Sequence, residues 1–99
     1  MPTDERSEFM QEAAARRGLW RLMLKLPAMR GSLQILAPQS SCLVGLCEAY
    51  EDASVMLETL QKQGKDADLA LLEEYITICV EIESDVIAYC LAHTSSVRN

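Results

Sequence analysis

Four cysteines and one histidine are the residues of this sequence with the most obvious capacity for metal binding or nucleophilic chemistry. Cys42, Cys47, Cys79 and Cys90 include no C-x₂-C pair of the kind that zinc sites use, and His93 is the single histidine. A catalytic thiol needs an adjacent base. His93 follows Cys90 by about one turn at the expected end of a helix, which does not make a convincing pair. We therefore expect no enzyme activity, no metal and no cofactor.

A run of acidic residues is the second possible source of chemistry. It comprises Glu73, Glu74, Glu81, Glu83 and Asp85. The Glu-x-x-His motif of di-iron helical bundles is absent, and the sequence has no glycine-rich phosphate loop. A solvated helix face accounts for these acids.

Composition and charge narrow the class of protein. The 99 residues allow one domain, 1–99, and 49% of them are hydrophobic, as in a globular protein. The net charge is −6, and residues 37–99 carry eleven acidic against three basic side chains. Because such a body repels phosphates, we expect no direct nucleic-acid binding. We also expect no membrane span and a cytoplasmic protein with reduced, buried thiols, since neither a long apolar run nor a signal-peptide pattern is present.

The spacing of apolar residues predicts an all-α protein built on a helical hairpin. The first hairpin helix is predicted at about 41–63, between the hydroxyls of Ser40 and Ser41 and the stop signal Gly64. The second is predicted at about 67–93, after a cap at Asp66 or Asp68 and before Thr-Ser-Ser. The short linker between them requires antiparallel neighbours.

The second hairpin helix carries more apolar surface than one neighbour can cover. Besides its main stripe, residues such as Ile76, Val80, Ile87 and Leu91 lie partly outside it. Either the N-terminal region or a second copy of the chain must cover this surplus. We expect a helical homodimer whose symmetry is left open, as is any bridge between cysteines of two chains. The residues assigned to self-association are Leu71, Ile78, Ile82, Val86 and Tyr89.

The N-terminal third predicts one or more further helices, with a possible break at Gly18 and a stop at Pro27. Within it, Arg17, Arg21 and Lys25 repeat every four residues beside an apolar stripe. Such a helix can dock in the groove of a partner protein or lie on an anionic membrane. It can also pack on the core with a solvated basic face. The residues assigned to partner binding are Leu19, Trp20, Leu22, Met23 and Leu26.

The run Arg17-Gly-Leu-Trp-Arg-Leu-Met-Leu-Lys-Leu-Pro27, followed by the hairpin Leu43–Leu91, resembles the QslA-type quorum-sensing antiactivators of pseudomonads. The resemblance extends over essentially the whole short acidic chain. It implies a helical dimer that binds the ligand-binding domain of a LuxR-type transcription factor such as LasR. It further implies that binding blocks dimerisation of the regulator and, with it, DNA binding.

Two functions from different classes follow as expectations. The first is a protein-interaction inhibitor, or antiactivator, of a LuxR-type regulator. The alternative is a structural helical homodimer or assembly subunit without a regulatory target. The residues alone name no partner, and they leave open which apolar stripe faces self and which faces another protein.

Overall fold

Helices make up nearly all of the chain in the computed structural model, which describes the backbone of residues 3–97 and the side chains of residues 12–93. The four α-helices are α1 (Thr3–Lys25), α2 (Arg30–Leu36), α3 (Ser41–Lys62) and α4 (Leu69–Val97). Short 3-10 turns connect them at Pro27–Met29, Ala37–Gln39 and Gly64–Asp66. The all-α prediction is confirmed for this described part.

The start of α3, the turn and the start of α4 lie at the predicted signals. The Ser40 hydroxyl accepts a hydrogen bond from the Leu43 amide at 3.1 Å, which caps the start of α3. After α3, Gly64 adopts φ = +61°, the left-handed conformation that glycine tolerates best. Asp68 then caps α4, because its carboxylate accepts from the Leu71 amide at 3.1 Å. The turn chemistry in the sequence therefore places the hairpin correctly.

The structure decides one helix boundary that the sequence left open and corrects another. Gly18 does not break α1, which continues from Thr3 to Lys25. The Thr-Ser-Ser segment does not end α4 either, since the helix continues to Val97. Compared with alanine, a serine or threonine in a helix interior costs only about 0.5 kcal/mol. With no proline or glycine after Gly64, nothing in this region stops the helix.

Helix α3 lies in the middle, with α1 packed on one side and α4 on the other. Tyr89 donates to the Ser40 hydroxyl and Tyr50 donates to the Glu83 carboxylate, both at 2.6 Å. The later residue of α3, Tyr50, contacts the earlier residue of α4, Glu83. The two helices are therefore antiparallel. Burial and the Glu83 carboxylate both raise the pKa of Tyr50, so its hydroxyl remains a donor at neutral pH.

The core lies where α3 meets its two neighbours and α2. Its largest fully buried side chains are those of Leu22, Leu33, Leu43, Cys47, Val86 and Cys90. The chain measures 52 × 38 × 17 Å, so it is much thinner in one direction than in the other two. In so flat an arrangement the outer helices have an uncovered side. In particular, α1 packs mainly on α3, so the N-terminal region leaves much of the outer side of α4 open.

Candidate protein-binding surface

A buried carboxylate on α3 fixes how α1 is rotated. Glu51 is only 5% exposed, yet both of its oxygens are bound. Arg17 Nε donates to one oxygen at 2.8 Å, and Arg21 Nε donates to the other at 2.7 Å. Arg21 also donates to the Glu58 carboxylate, at 2.8 Å through one nitrogen and 3.3 Å through another. Two of the three residues of the predicted basic stripe, Arg17 and Arg21, therefore form ion pairs with α3.

The charges of this cluster stabilise one another. Burial is the largest single influence on the pKa of Glu51 and raises it. The hydrogen bonds and charges of Arg17 and Arg21 outweigh that effect, so the pKa is lowered below its ordinary value. The hydrogen bonds that Arg21 donates to Glu58 and Glu51 raise the pKa of Arg21. The carboxylate between α1 and α3 is thus charged at neutral pH.

The absence of a side chain at Gly18 lets α1 approach α3 closely. A Cβ atom at position 18 would lie 1.8 Å from the Cys47 carbonyl oxygen and 2.6 Å from its carbonyl carbon. Only glycine fits between these two backbones. This contact and the Glu51 ion pairs hold one face of α1 against α3. The opposite face of α1 is exposed to solvent.

The outer face of α1 displays two large apolar side chains one turn apart. Trp20 is 63% exposed and Leu24 is 61% exposed. Trp20 borders two shallow depressions, one of about 430 Å³ and one of about 260 Å³. The larger is lined by Arg16, Arg17, Trp20 and Arg21, and the smaller by Trp20, Met23, Leu24, Arg30 and Gln34. These residues are called the Trp20 surface below.

The five residues predicted to bind a partner are divided between this surface and the core. Trp20 lies at the centre of the Trp20 surface, and Met23, although 7% exposed, borders its smaller depression. Leu22 is fully buried and has no surface to offer. Leu19 and Leu26 are partly buried against the core. The sequence assignment omitted Leu24, which its spacing of four residues from Trp20 could have suggested.

Most of the residues predicted to self-associate pack within the chain's own core. Val86 is fully buried and Ile82 nearly so, while Ile78 and Tyr89 pack against the core and Leu71 is partly buried. The apolar side chains left open on α4 form a different stripe. It consists of Leu69, Ile76, Val80, Ile87 and Leu91.

These five residues are called the α4 stripe. Their spacing of seven, four, seven and four places them on one side of a helix. All are exposed except Ile87, which is partly buried. Of the exposed acids on α4, Glu74, Glu81 and Asp85 lie about one-third of a turn from the stripe, whereas Glu73 lies within the stripe, between Leu69 and Ile76. The predicted surplus of apolar surface on α4 is therefore present, on residues other than those assigned.

The four cysteines are free thiols, of which Cys47, Cys79 and Cys90 are buried as expected and Cys42 is exposed. Burial, with smaller contributions from Cys90 and Glu48, raises the pKa of Cys47 to about 11. Burial also raises the pKa of Cys79 and Cys90. These buried thiols are protonated at neutral pH, a poor state for nucleophiles.

Among the residues that the structure describes, no group of three or more His, Cys, Asp or Glu side chains is placed to hold a metal ion. None of the helices in this part of the chain combines the length and apolarity that crossing a membrane requires.

No protein-family model, no curated protein and no solved structure matches this chain.

Proposed function

We propose that this chain is an antiactivator: it binds the ligand-binding domain of a LuxR-type quorum-sensing transcription factor and prevents that domain from dimerising. The resemblance of the run from Arg17 to Pro27 to the QslA-type antiactivators suggests the class of partner. The Trp20 surface provides a place on this fold where such a partner can bind.

The exposure of Trp20 is the observation that carries the proposal. An indole that is 63% exposed leaves much apolar area in water. Covering a large apolar side chain fully is worth roughly 1.5–3 kcal/mol, and tryptophan is over-represented among the residues that dominate binding energy. Trp20 and Leu24 lie on a helix held to the core by Gly18 and Glu51. Because the helix backbone is already ordered, only side-chain freedom is lost when a partner covers this patch.

The proposed mechanism is competition for one surface of the regulator. If the chain binds only the regulator monomer, it removes monomer from the monomer–dimer equilibrium by mass action. A two-fold DNA site needs two DNA-binding units in fixed register, so loss of the dimer lowers DNA affinity. This mechanism needs no catalytic residue and no cofactor.

Replacing Trp20 with alanine tests the proposal. We expect the affinity for the ligand-binding domain of a LuxR-type regulator, measured by titration calorimetry, to fall by about 30-fold or more. The free energy of unfolding should change by about 1 kcal/mol or less, because most of the indole is in solvent.

Met56→Ala is the matched control, since Met56 is a large exposed apolar residue on α3 that borders neither depression. This variant should bind as the wild type does. Wild-type protein that fails to bind such a regulator contradicts the proposed function. Equal binding by Trp20→Ala and wild type would show that the Trp20 surface is not the site.

A structural homodimer without a regulatory target is the second candidate, and the α4 stripe favours it. A second copy could cover the stripe along the length of α4. We propose that the chain forms a homodimer in this way, whether or not it also binds a regulator. Such a dimer leaves the Trp20 surface, on the other side of α3, open to a partner.

Val80→Glu tests the dimer, because Val80 is near the middle of the α4 stripe and 52% exposed. We expect wild-type protein to sediment at about twice its chain mass of 11.0 kDa. The variant should sediment as a monomer with unchanged helix content, since glutamate is a good helix former. Glu81→Gln, on the neighbouring exposed position, is the control and should remain dimeric. Wild-type protein that stays monomeric at all concentrations would contradict the dimer.

A further inference from the structure

The Trp20 surface has a shape that restricts what can cover it. Trp20 borders both depressions and is shared between them. A flat partner would leave both depressions empty. A partner that fits must place one side chain on each side of the indole, and apolar groups suit the space beside Met23 and Leu24.

The charge of the surface is positive although the chain carries a net charge of −6. Every ionisable residue that borders the two depressions is an arginine. Glu51 and Glu58 compensate Arg17 and Arg21 from the α3 side. Among the described residues, Arg16 and Arg30 form no ion pair, and both are exposed. Two guanidinium groups without a salt bridge, one beside each depression, are therefore available to a partner, with Glu12 one helical turn before Arg16 as the nearest acid along α1.

The hydrogen bonds that the Trp20 surface can offer indicate which kind of partner segment can bind there. The described residues contain no strand, so the surface offers no sheet edge to which an extended peptide could add. Recognition must use side chains. From Arg16 to Leu24 the surface follows α1 over nine residues, a rise of about 12 Å. An amphipathic helix presents apolar residues at positions i, i+4 and i+7 over a similar length.

We propose that the Trp20 surface receives an acidic amphipathic helix of the partner protein. Apolar side chains of that helix enter the depressions on the two sides of Trp20, and its carboxylates pair with Arg16 and Arg30. This inference rests on the proposed function, because it specifies the segment of the regulator that is bound. An anionic membrane is disfavoured because the rest of the chain repels it and because a planar surface does not enter the depressions.

The charge-reversed double variant Arg16→Glu with Arg30→Glu tests the inference against the same LuxR-type ligand-binding domain. At about 50 mM salt, where screening is slight, we expect its affinity to be about 10- to 100-fold below that of the wild type. The difference should shrink at about 500 mM salt. The control, Lys62→Glu with Lys65→Glu, changes the net charge equally at two exposed positions away from the surface and should bind nearly as the wild type does.

Hydrogen exchange of the regulator in the wild-type complex gives the second measurement. The segment of the regulator that becomes protected should be a helix bearing at least two carboxylates. If the wild type binds but the arginine variant binds equally well, or if the protected segment is basic or extended, the inference is wrong and the proposed function stands. If the wild type does not bind the regulator, the proposed function fails first and the inference with it.

Two further outcomes would overturn the inference by naming another occupant. The first is binding of wild-type protein to phosphatidylglycerol vesicles that the arginine variant loses. The second is self-association of the wild type that the arginine variant, but not the lysine control, loses. The first outcome would identify a membrane as the occupant. The second would identify the acidic α4 of a second copy as the occupant.

Discussion

Gly18→Ala is expected to lower the free energy of unfolding by about 3 kcal/mol or more, at the upper end of the effects of overpacking. The added Cβ atom would lie 1.8 Å from the Cys47 carbonyl oxygen, so a backbone must move. Movement of α1 away from α3 would also loosen the Arg17 and Arg21 contacts to Glu51. Urea unfolding followed by circular dichroism measures the change.

Gly45→Ala is the matched control for this prediction. Gly45 also lies within a helix, but a Cβ atom there meets no atom within 4 Å. Because alanine is favoured over glycine in helices, this variant should be stabilised by roughly 0.5–1 kcal/mol. If Gly18→Ala lowers the free energy of unfolding and Gly45→Ala raises it, the difference would establish that Gly18 is needed for the close packing of α1 on α3. Stabilisation by Gly18→Ala would mean that α1 and α3 are not packed as described.

Glu51→Gln is expected to lower the free energy of unfolding by roughly 2 kcal/mol or more at neutral pH, because it leaves two guanidinium groups against a buried neutral amide. Glu58→Gln is the control. Glu58 also binds Arg21, but about half of its side chain is exposed. Solvent screens that pair, so the Glu58 variant should lose much less stability. Equal losses would show that Glu51 is not the residue that holds α1 on α3.

The same carboxylate predicts how stability depends on pH. The pKa of Glu51 is lower in the folded chain than in the unfolded one. Its contribution to stability is therefore complete above the unfolded value of about 4.3 and is lost as the pH falls through the folded value. The stability difference between wild type and Glu51→Gln should be constant above about pH 5.5 and should shrink below about pH 4.3. A difference that is independent of pH down to complete acid unfolding would contradict this assignment.

The hairpin was predictable because local chemistry determines it. The hydroxyl of Ser40, the freedom of Gly64 and the carboxylate of Asp68 each act on backbone groups a few residues away. Such signals are visible in a sequence without knowledge of the packing. The end of α4 was missed because serine and threonine disfavour a helix interior only slightly.

The orientation of α1 could not be predicted in the same way. Residues Leu19–Leu26 are apolar on several sides, so their spacing alone does not decide whether Leu22 or Trp20 faces inward. Contacts from a distant part of the chain decide it, namely those of Cys47 with Gly18 and of Glu51 with the two arginines. The α4 stripe was misassigned for a related reason, since two apolar stripes share one helix and only the position of α3 shows which is covered.

The most direct test of the antiactivator function is the oligomeric state of the regulator when this chain is in excess. A dye-labelled LuxR-type ligand-binding domain, followed by analytical ultracentrifugation, reports whether its dimer survives. We predict that saturating amounts of the chain replace the regulator dimer with a complex containing one regulator, and that Trp20→Ala does not do so at the same concentration. A regulator that remains dimeric in the presence of saturating wild-type chain would contradict the account.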